Sequence, residues 1–405
     1  MQHLVCHLVN GIACQSNSTL SSPGVIMNQE SRALGGVSAF NLTHIALTIL
    51  VLVSAGNAFA GDVNIAQIQA AAARGKVPQE VKLAGAYFVG RGVQQNLKMA
   101  AYWYEKAAEH GDPVAENEIG YMYQAGIGVS QDPARGCRWY QLAAASGLIS
   151  AKVNLGVAYF WGSGVPKDTA LATELFREAA NKGSGAAATY LGDLYYLGIG
   201  LDQNRAAGER WYETGVKLHD PISAFNLGSL YFKASDHPHD FPKAARLFRQ
   251  SAAAGYVPAM HSLGVLLIKH PEFAKSAQEG RTSLETAAES GFWRSSIVLG
   301  ILARDGNGTS VDQVAAYYYF QIAALQGGDN AKKMLANDFK KLSDTLNADQ
   351  IREQNSRADS WCHEHPFAVE FVHQDTRIWN GFPSWGHAID ENGVEAGQLL
   401  PVPLA

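Results

Sequence analysis

Cysteine is scarce in this chain: four among 405 residues, namely Cys6, Cys14, Cys137 and Cys362. That excludes a small disulfide-stapled scaffold, which depends on densely spaced pairs. Charge is thin as well. Asp, Glu, Lys and Arg make up 17% of the residues, the formal net charge is −5, and no run of Lys or Arg forms a basic stripe. Binding to a phosphate backbone relies on such clustering, so nucleic acid is not an expected partner. No apolar run approaches the roughly 20 residues that a membrane-spanning helix needs. The sequence also lacks the motifs of enzymatic sites. It has no Gly-x-Ser-x-Gly elbow, no His-Glu-x-x-His, no phosphate loop ending Gly-Lys-Ser/Thr, and no Ser-x-x-Lys, Ser-Asp-Asn or Lys-Thr-Gly. No cofactor and no metal site is expected. His237-Pro238-His239-Asp240 and Cys362-His363-Glu364-His365 carry ligand-type side chains. Neither has the pair-and-pair spacing of a structural zinc site, and both read as solvated segments.

What the chain does have is a period. Gly120, Gly156, Gly192, Gly228, Gly264 and Gly300 stand 36 residues apart, each preceded by Ile or Leu. Ala84 and Ala336 extend the column by one step at either end. A fixed period in this range means stacked supersecondary units. Within a unit, apolar residues fall at i, i+3, i+4 and i+7 in two segments, which predicts two amphipathic helices. The first segment is clearest at Ile119-Gly120-Tyr121-Met122-Tyr123 and the second at Arg138-Trp139-Tyr140-Gln141-Leu142-Ala143-Ala144. Gly126 and Gly128, with their copies, supply the turn between helices. No βαβ context surrounds them, so they are not a nucleotide fingerprint. Gly111, Gly147, Gly183, Gly255, Gly291 and Gly327 end the second helices, and His219 breaks that column, so Asp220-Pro221 is expected to supply the stop there. Tyr87, Tyr123, Tyr159, Tyr195 and Tyr231 form one aromatic column; Trp103, Trp139 and Trp211, with Leu175 and Leu247, form another. Both are expected in the core, filling the space between units.

Leu-Gly-x-x-Tyr-x-x-Gly-x-Gly-Val followed by Trp-Tyr-x-x-Ala-Ala-x-x-Gly resembles the Sel-1-like repeat family, relatives of the tetratricopeptide repeats. The resemblance covers roughly residues 62–345. It implies an all-α fold, a right-handed α/α solenoid of stacked 36-residue helix-turn-helix repeats. Departures fall late. Ala234 and Asp236 replace the Gly-x-Gly pair of the fifth unit, and Leu267 and His270 replace the Tyr and first Gly of the sixth, so those loops are expected to be rebuilt.

Four domains are expected: a leader at 1–60, the solenoid at 61–345, a capping helix at 346–362 with Asn347 as its N-cap, and an irregular aromatic-rich tail at 363–405. The apolar run Ile45 to Val53 followed by Ala58-Phe59-Ala60 predicts a secretory signal and a periplasmic or secreted location. An uncleaved leader is the rival reading and the only expected route to a membrane. Met1 and Met27 are alternative starts. The tail, with Phe367, Phe371, Trp379, Phe382 and Trp385, has two open readings, a flexible terminus or a segment that docks.

Family resemblance implies a protein or peptide partner bound by the first helices of the repeats, on a concave side. The position before each Leu-Gly pair reads Lys82, Glu118, Asn154, Tyr190, Asn226, Ser262 and Val298. Asn both donates and accepts, so it can hold a peptide backbone without reading side chains. The position after the Tyr column includes Phe160, Tyr196 and Phe232, which either clamp apolar side chains or pack the core. The candidate groove is therefore Glu118, Asn154, Tyr190 and Asn226 with Phe160, Tyr196 and Phe232. Two other functions stay open. Hydrolysis at the cell wall or of a β-lactam rests on family analogy alone, and a structural homo-oligomer would need no ligand.

Overall fold

Up to Leu218 the first helix of each pair ends on glycine and the second begins on Asx, and these two rules set the fold there. The computed structural model describes residues 65–233, 238–306 and 310–365. They form sixteen α-helices and one short 3-10 helix, with no strand among the described residues. Two units are distinguished, one ending at Leu218 and one beginning at His219.

The first unit opens with a lone helix, α1 (Ile65–Ala72). Paired helices follow: α2 (Val77–Val89) with α3 (Leu97–Glu109), α4 (Pro113–Ala125) with α5 (Pro133–Ala145), α6 (Ile149–Trp161) with α7 (Thr169–Asn181), and α8 (Gly185–Leu197) with α9 (Arg205–Lys217). Gly90, Gly126, Gly162 and Gly198 close the first helices in the left-handed conformation. The next glycine of each turn is needed for a different reason. A Cβ on Gly128 would lie 2.1 Å from the Leu97 carbonyl oxygen, because the turn presses on the start of the preceding second helix. Asn96, Asp132, Asp168 and Asn204 then cap α3, α5, α7 and α9, each accepting from the backbone N–H three residues on. This cap column has the same 36-residue period.

The second unit continues with α10 (Pro221–Lys233) and α11 (Phe241–Ala253), α12 (Val257–Lys269) and α13 (Glu279–Glu289), α14 (Trp293–Asp305), α15 (Gln313–Thr345) and α16 (Ala348–Glu364). His219 itself takes the left-handed conformation (φ 60°), and Asp220 caps α10 by accepting from Ser223 N–H at 2.7 Å. So the stop expected of Asp220-Pro221 is made one residue earlier. Likewise Gly327 does not end a helix. It is buried against Trp293, and Gly328 (φ 58°, ψ −141°) breaks α15 instead. The loop of the sixth unit is rebuilt: Pro271–Phe273 is a 3-10 turn, and Arg249 holds it by donating to Glu279 (2.6 Å) and the Phe273 carbonyl (2.6 Å). Positions 234–237, where the fifth unit departs from the pattern, lie outside the described residues, as do the leader and the tail from 366. Asn347 caps α16 through a reciprocal pair with Gln350.

The core is organised by the glycine column. A Cβ on Gly120, Gly156 or Gly192 would stand 2.9, 2.7 or 2.4 Å from the ring of Tyr140, Phe176 or Tyr212. In the second unit Gly228, Gly264 and Gly300 are covered in the same way by Phe248, Leu284 and Phe320. Each covering residue lies twenty positions after its glycine, and all six are buried. This corrects the expectation for the tryptophans. Trp103, Trp139 and Trp211 are half-buried at the margins of the clusters. One residue rotates a helix by about 100°, so the next residue, not the Trp, points at the partner helix. The Ala column holds: Ala107, Ala143, Ala179, Ala287 and Ala323 are fully buried.

The tyrosine column ties successive repeats of the first unit together. The Tyr123 hydroxyl donates to Glu105 at 3.0 Å, Arg177 donates to the Tyr195 hydroxyl at 2.9 Å, and Gln69 donates to the Tyr87 hydroxyl at 3.3 Å. Each reaches a residue eighteen positions back, on the second helix of the preceding repeat. Aromatic bodies fill the interior while polar tips set the repeat-to-repeat register.

Candidate interaction site

Glu118, Asn154 and Tyr190 hold equivalent positions on α4, α6 and α8 of the first unit, and all three are half-buried. Two of them are joined by a residue that sequence reasoning missed. Asn154 Nδ2 donates to Asn117 Oδ1 at 2.9 Å, and Asn117 Nδ2 donates to Glu118 Oε1 at 3.1 Å. The chain Asn154–Asn117–Glu118 spans the first helices of two consecutive repeats. The signal for Asn117 was present as an anomaly. Its column otherwise reads Val81, Val153, Thr189, Phe225, His261 and Ile297, so an Asn with 6% exposure interrupts mostly apolar company.

Glu118 is the electrostatic centre. Burial pushes its carboxyl up to about 7, against the lowering effect of the Asn117 hydrogen bond. Tyr104 and Tyr121 are raised by burial first and by the Glu118 charge second. Tyr140 is raised by burial and then by Tyr121 and Glu118. The carboxyl thus sits among three phenols on α3, α4 and α5. Tyr104 and Tyr140 are buried, with 2% and 4% exposure, while Tyr121 is half-buried. Tyr190 stacks one ring face on Phe176, with centroids 4.7 Å apart and planes 14° from parallel.

The aromatic half of the expected groove is placed elsewhere. Phe160 and Tyr196 are buried, with 8% and 6% exposure, and pack between the helices of their own repeats. The fit is close enough that a Cβ on Gly208 would lie 2.7 Å from Tyr196 Cβ. These rings therefore line no surface. In the second unit Phe232 is half-buried against Phe241 and Phe248 (centroids 6.0 and 6.2 Å). Asn226 is half-buried in the register of Asn154. At the corresponding place in the α4–α5 repeat a polar knot replaces an aromatic. Gln124 accepts from the Ser163 hydroxyl at 2.8 Å and donates to Cys137 Sγ at 3.2 Å, and the Cys137 thiol donates to the Ser163 carbonyl at 3.0 Å. Burial pushes the Cys137 thiol up to about 11, so it is no nucleophile at neutral pH. His363 and His365, at the end of α16, hydrogen-bond to the Asp359 and Trp361 carbonyls of their own helix.

The repeats match a family model. Residues 80–112, 113–148, 149–184, 185–220, 221–256 and 297–328 each match the Sel1 repeat. The unmatched interval 257–296 holds the rebuilt loop and the shortened α13. A solved protective antigen of uropathogenic Escherichia coli strains, displaying an SLR fold, is 24% identical; the match covers 76% of this chain and 74% of that one, with a TM-score of 0.41. A Sel1 repeat protein from Oxalobacter formigenes is 28% identical over 55% of this chain and 98% of its own, with a TM-score of 0.49. An immunity protein from Pseudomonas aeruginosa is 18% identical over 62% of this chain and 81% of its own, with a TM-score of 0.38. No curated protein matches the chain. With six matched repeats over more than half of its length, the chain belongs to the Sel1-repeat family of all-α solenoids, whose members generally mediate protein–protein interaction.

Proposed function

We propose that this protein is a binding scaffold that receives an extended segment of a partner protein on the first helices of its first unit. Asn154, Asn117 and Glu118 hold the segment, and Tyr190 adds a flat apolar contact. One observation carries the reading. Among the described residues, Asn154 Oδ1 and the second oxygen of Glu118 accept no hydrogen bond, although both side chains are half-buried and fixed by Asn117. Acceptors with spare capacity that stay reachable from outside, on side chains already held in place, suit a ligand's N–H groups. Asn226 holds the equivalent register position in the second unit. The leader pattern of Ile45 to Val53 and Ala58-Phe59-Ala60 supports a periplasmic or secreted setting for this encounter.

The test is a random peptide display screen against the protein, followed by affinity measurement of the selected peptides on Asn117→Leu/Asn154→Leu. Isosteric apolar replacement keeps the shape and removes the hydrogen bonds. The expected result is at least a tenfold loss of affinity with an unchanged circular dichroism spectrum. Selected peptides that bind the double variant as well as the parent, or a screen that yields none, overturn the proposal.

A further inference from the structure

Several carboxylates of the first unit have a basic side chain beside them; among the described residues Glu116 and Glu118, both on α4, do not. Glu80 meets His110 at 3.0 Å, Glu105 meets Arg135, and Glu178 meets Lys152. Glu118 forms no ion pair among the described residues. Its surroundings are one amide donor and the phenols of Tyr104, Tyr121 and Tyr140. A carboxylate partly withdrawn from water and left without a cation is an unfavourable arrangement that a protein retains at a site more readily than in a frame. Beside it the Asn154 carbonyl oxygen supplies a second acceptor, held by the same amide.

We infer that Glu118 and Asn154 receive a cationic side chain, Lys or Arg, of the bound partner segment. The inference rests on the scaffold reading above and adds the charge of the segment to it. An ammonium has three donors and no acceptor, and a guanidinium five, which complements an acceptor-rich, donor-poor setting. The pairing restores charge balance in a position where burial strengthens it relative to bulk water. Glu118, with a carboxyl near neutrality, would be drawn into its ionised form as the cation arrives. The charged and titratable groups facing it are the three phenols, and none of them ionises at neutral pH. The net charge of −5 favours the approach of a basic segment.

The experiment uses the full chain with carbon-13-labelled glutamate. The Glu118 carboxyl resonance is identified as the one missing from Glu118→Gln. Acetyl-Ala-Lys-Ala-amide, acetyl-Ala-Arg-Ala-amide and acetyl-Ala-norleucine-Ala-amide are titrated in at millimolar concentration. The cationic peptides are expected to lower the Glu118 titration midpoint by at least one pH unit and to bind at least tenfold tighter at pH 8 than at pH 5.5. The norleucine peptide should leave the midpoint in place, and Asn154→Leu should weaken the response. An unmoved Glu118 midpoint with Lys and Arg, or an equal response to norleucine, overturns the inference. If display-selected peptides still depend on Asn117 and Asn154 in that case, the scaffold reading stands and only the charge of the segment is wrong. A failed peptide screen beside a positive midpoint shift would sink the scaffold reading instead.

Discussion

Gly85 and Gly192 both lie inside first helices, and alanine at these two places should act in opposite directions. A helix-interior glycine costs about 0.5–1 kcal/mol relative to alanine, through backbone entropy. Neither residue has a positive φ, so the substitution is conformationally allowed at both. At Gly85 a Cβ meets only the Tyr104 hydroxyl oxygen, at 3.5 Å, an ordinary contact. The gain should be realised there. At Gly192 a Cβ would stand 2.4 Å from both Cδ1 and Cε1 of Tyr212. That ring is fully buried, and its hydroxyl is tied to Asp193 at 2.6 Å, so it cannot swing aside. Overpacking a filled interior costs about 1–3 kcal/mol. Set against the helix gain, Gly192→Ala should be destabilised by about 1–2 kcal/mol, and the two variants should differ by about 2 kcal/mol. Far-UV circular dichroism during heating and urea titration gives the comparison. In domains of 150–250 residues 1 kcal/mol moves the thermal midpoint by about 2–4 °C. Long repeat arrays depart from two-state behaviour, so the order of the midpoints against the parent is the readout. If Gly192→Ala melts at or above the parent, the close approach of α8 and α9 at Tyr212 is wrong, and with it the account of why glycine recurs every 36 residues.

Two further predictions follow from burial. Phe176→Ala removes a ring with 1% exposure and should cost about 3–5 kcal/mol, whereas Trp139→Ala, half-buried at a cluster margin, should cost about 1–2 kcal/mol; equal losses in urea titration would return the Trp column to the core. Glu118 has a folded-state carboxyl raised to about 7 from an ordinary 4.5, so the folded state binds the proton more tightly than the unfolded one. Stability from this group is present in full below pH 4.5 and is lost as pH rises to about 7, a span worth about 1–3 kcal/mol after allowance for partial exposure. Glu118→Gln should therefore be more stable than the parent at pH 8 and level with it at pH 4, read from urea midpoints; a gap of the same size at both pH values would refute the raised carboxyl.

The helices were legible in the sequence because their determinants are local. Glycine pairs, Asx caps and the i, i+3, i+4 spacing act within a few residues, and a 36-residue period repeats each signal several times. Rotation about the helix axis was less legible. Trp139 and Tyr140 are adjacent, both are large, and both recur, yet only Tyr140 lies over Gly120. Telling them apart from sequence would have required pairing each glycine with the residue twenty places on, a relation that is visible once the hairpin's closing turn is known. Positions that the Gly-x-Gly turn does not govern were the least predictable. His219 adopts a glycine's conformation, and Gly328 displaces the break by one residue, because tertiary packing of Trp293 against Gly327 takes precedence over the column.

The candidate site separates along the same line. A column that keeps its chemistry from repeat to repeat is under one constraint, and that constraint is packing: Phe160 and Tyr196 belong to a mostly aromatic column, broken at Gln124 by an internal polar knot, and are buried. A solenoid's neighbour contacts are alike from unit to unit, so they give no reason for one repeat to place Asn117 where others place Val81 and Val153, or to place Glu118 where others place Asn154 and Tyr190. Breaks in chemistry at buried and half-buried positions are therefore where the proposed partner contact is placed. Asn117 and Glu118 are adjacent breaks on α4, hydrogen-bonded to each other and to the next repeat. A periodicity search would discard them as noise, and it is that departure from the period, together with a carboxyl that has no ion pair among the described residues, on which the proposal that α4 meets a partner rests.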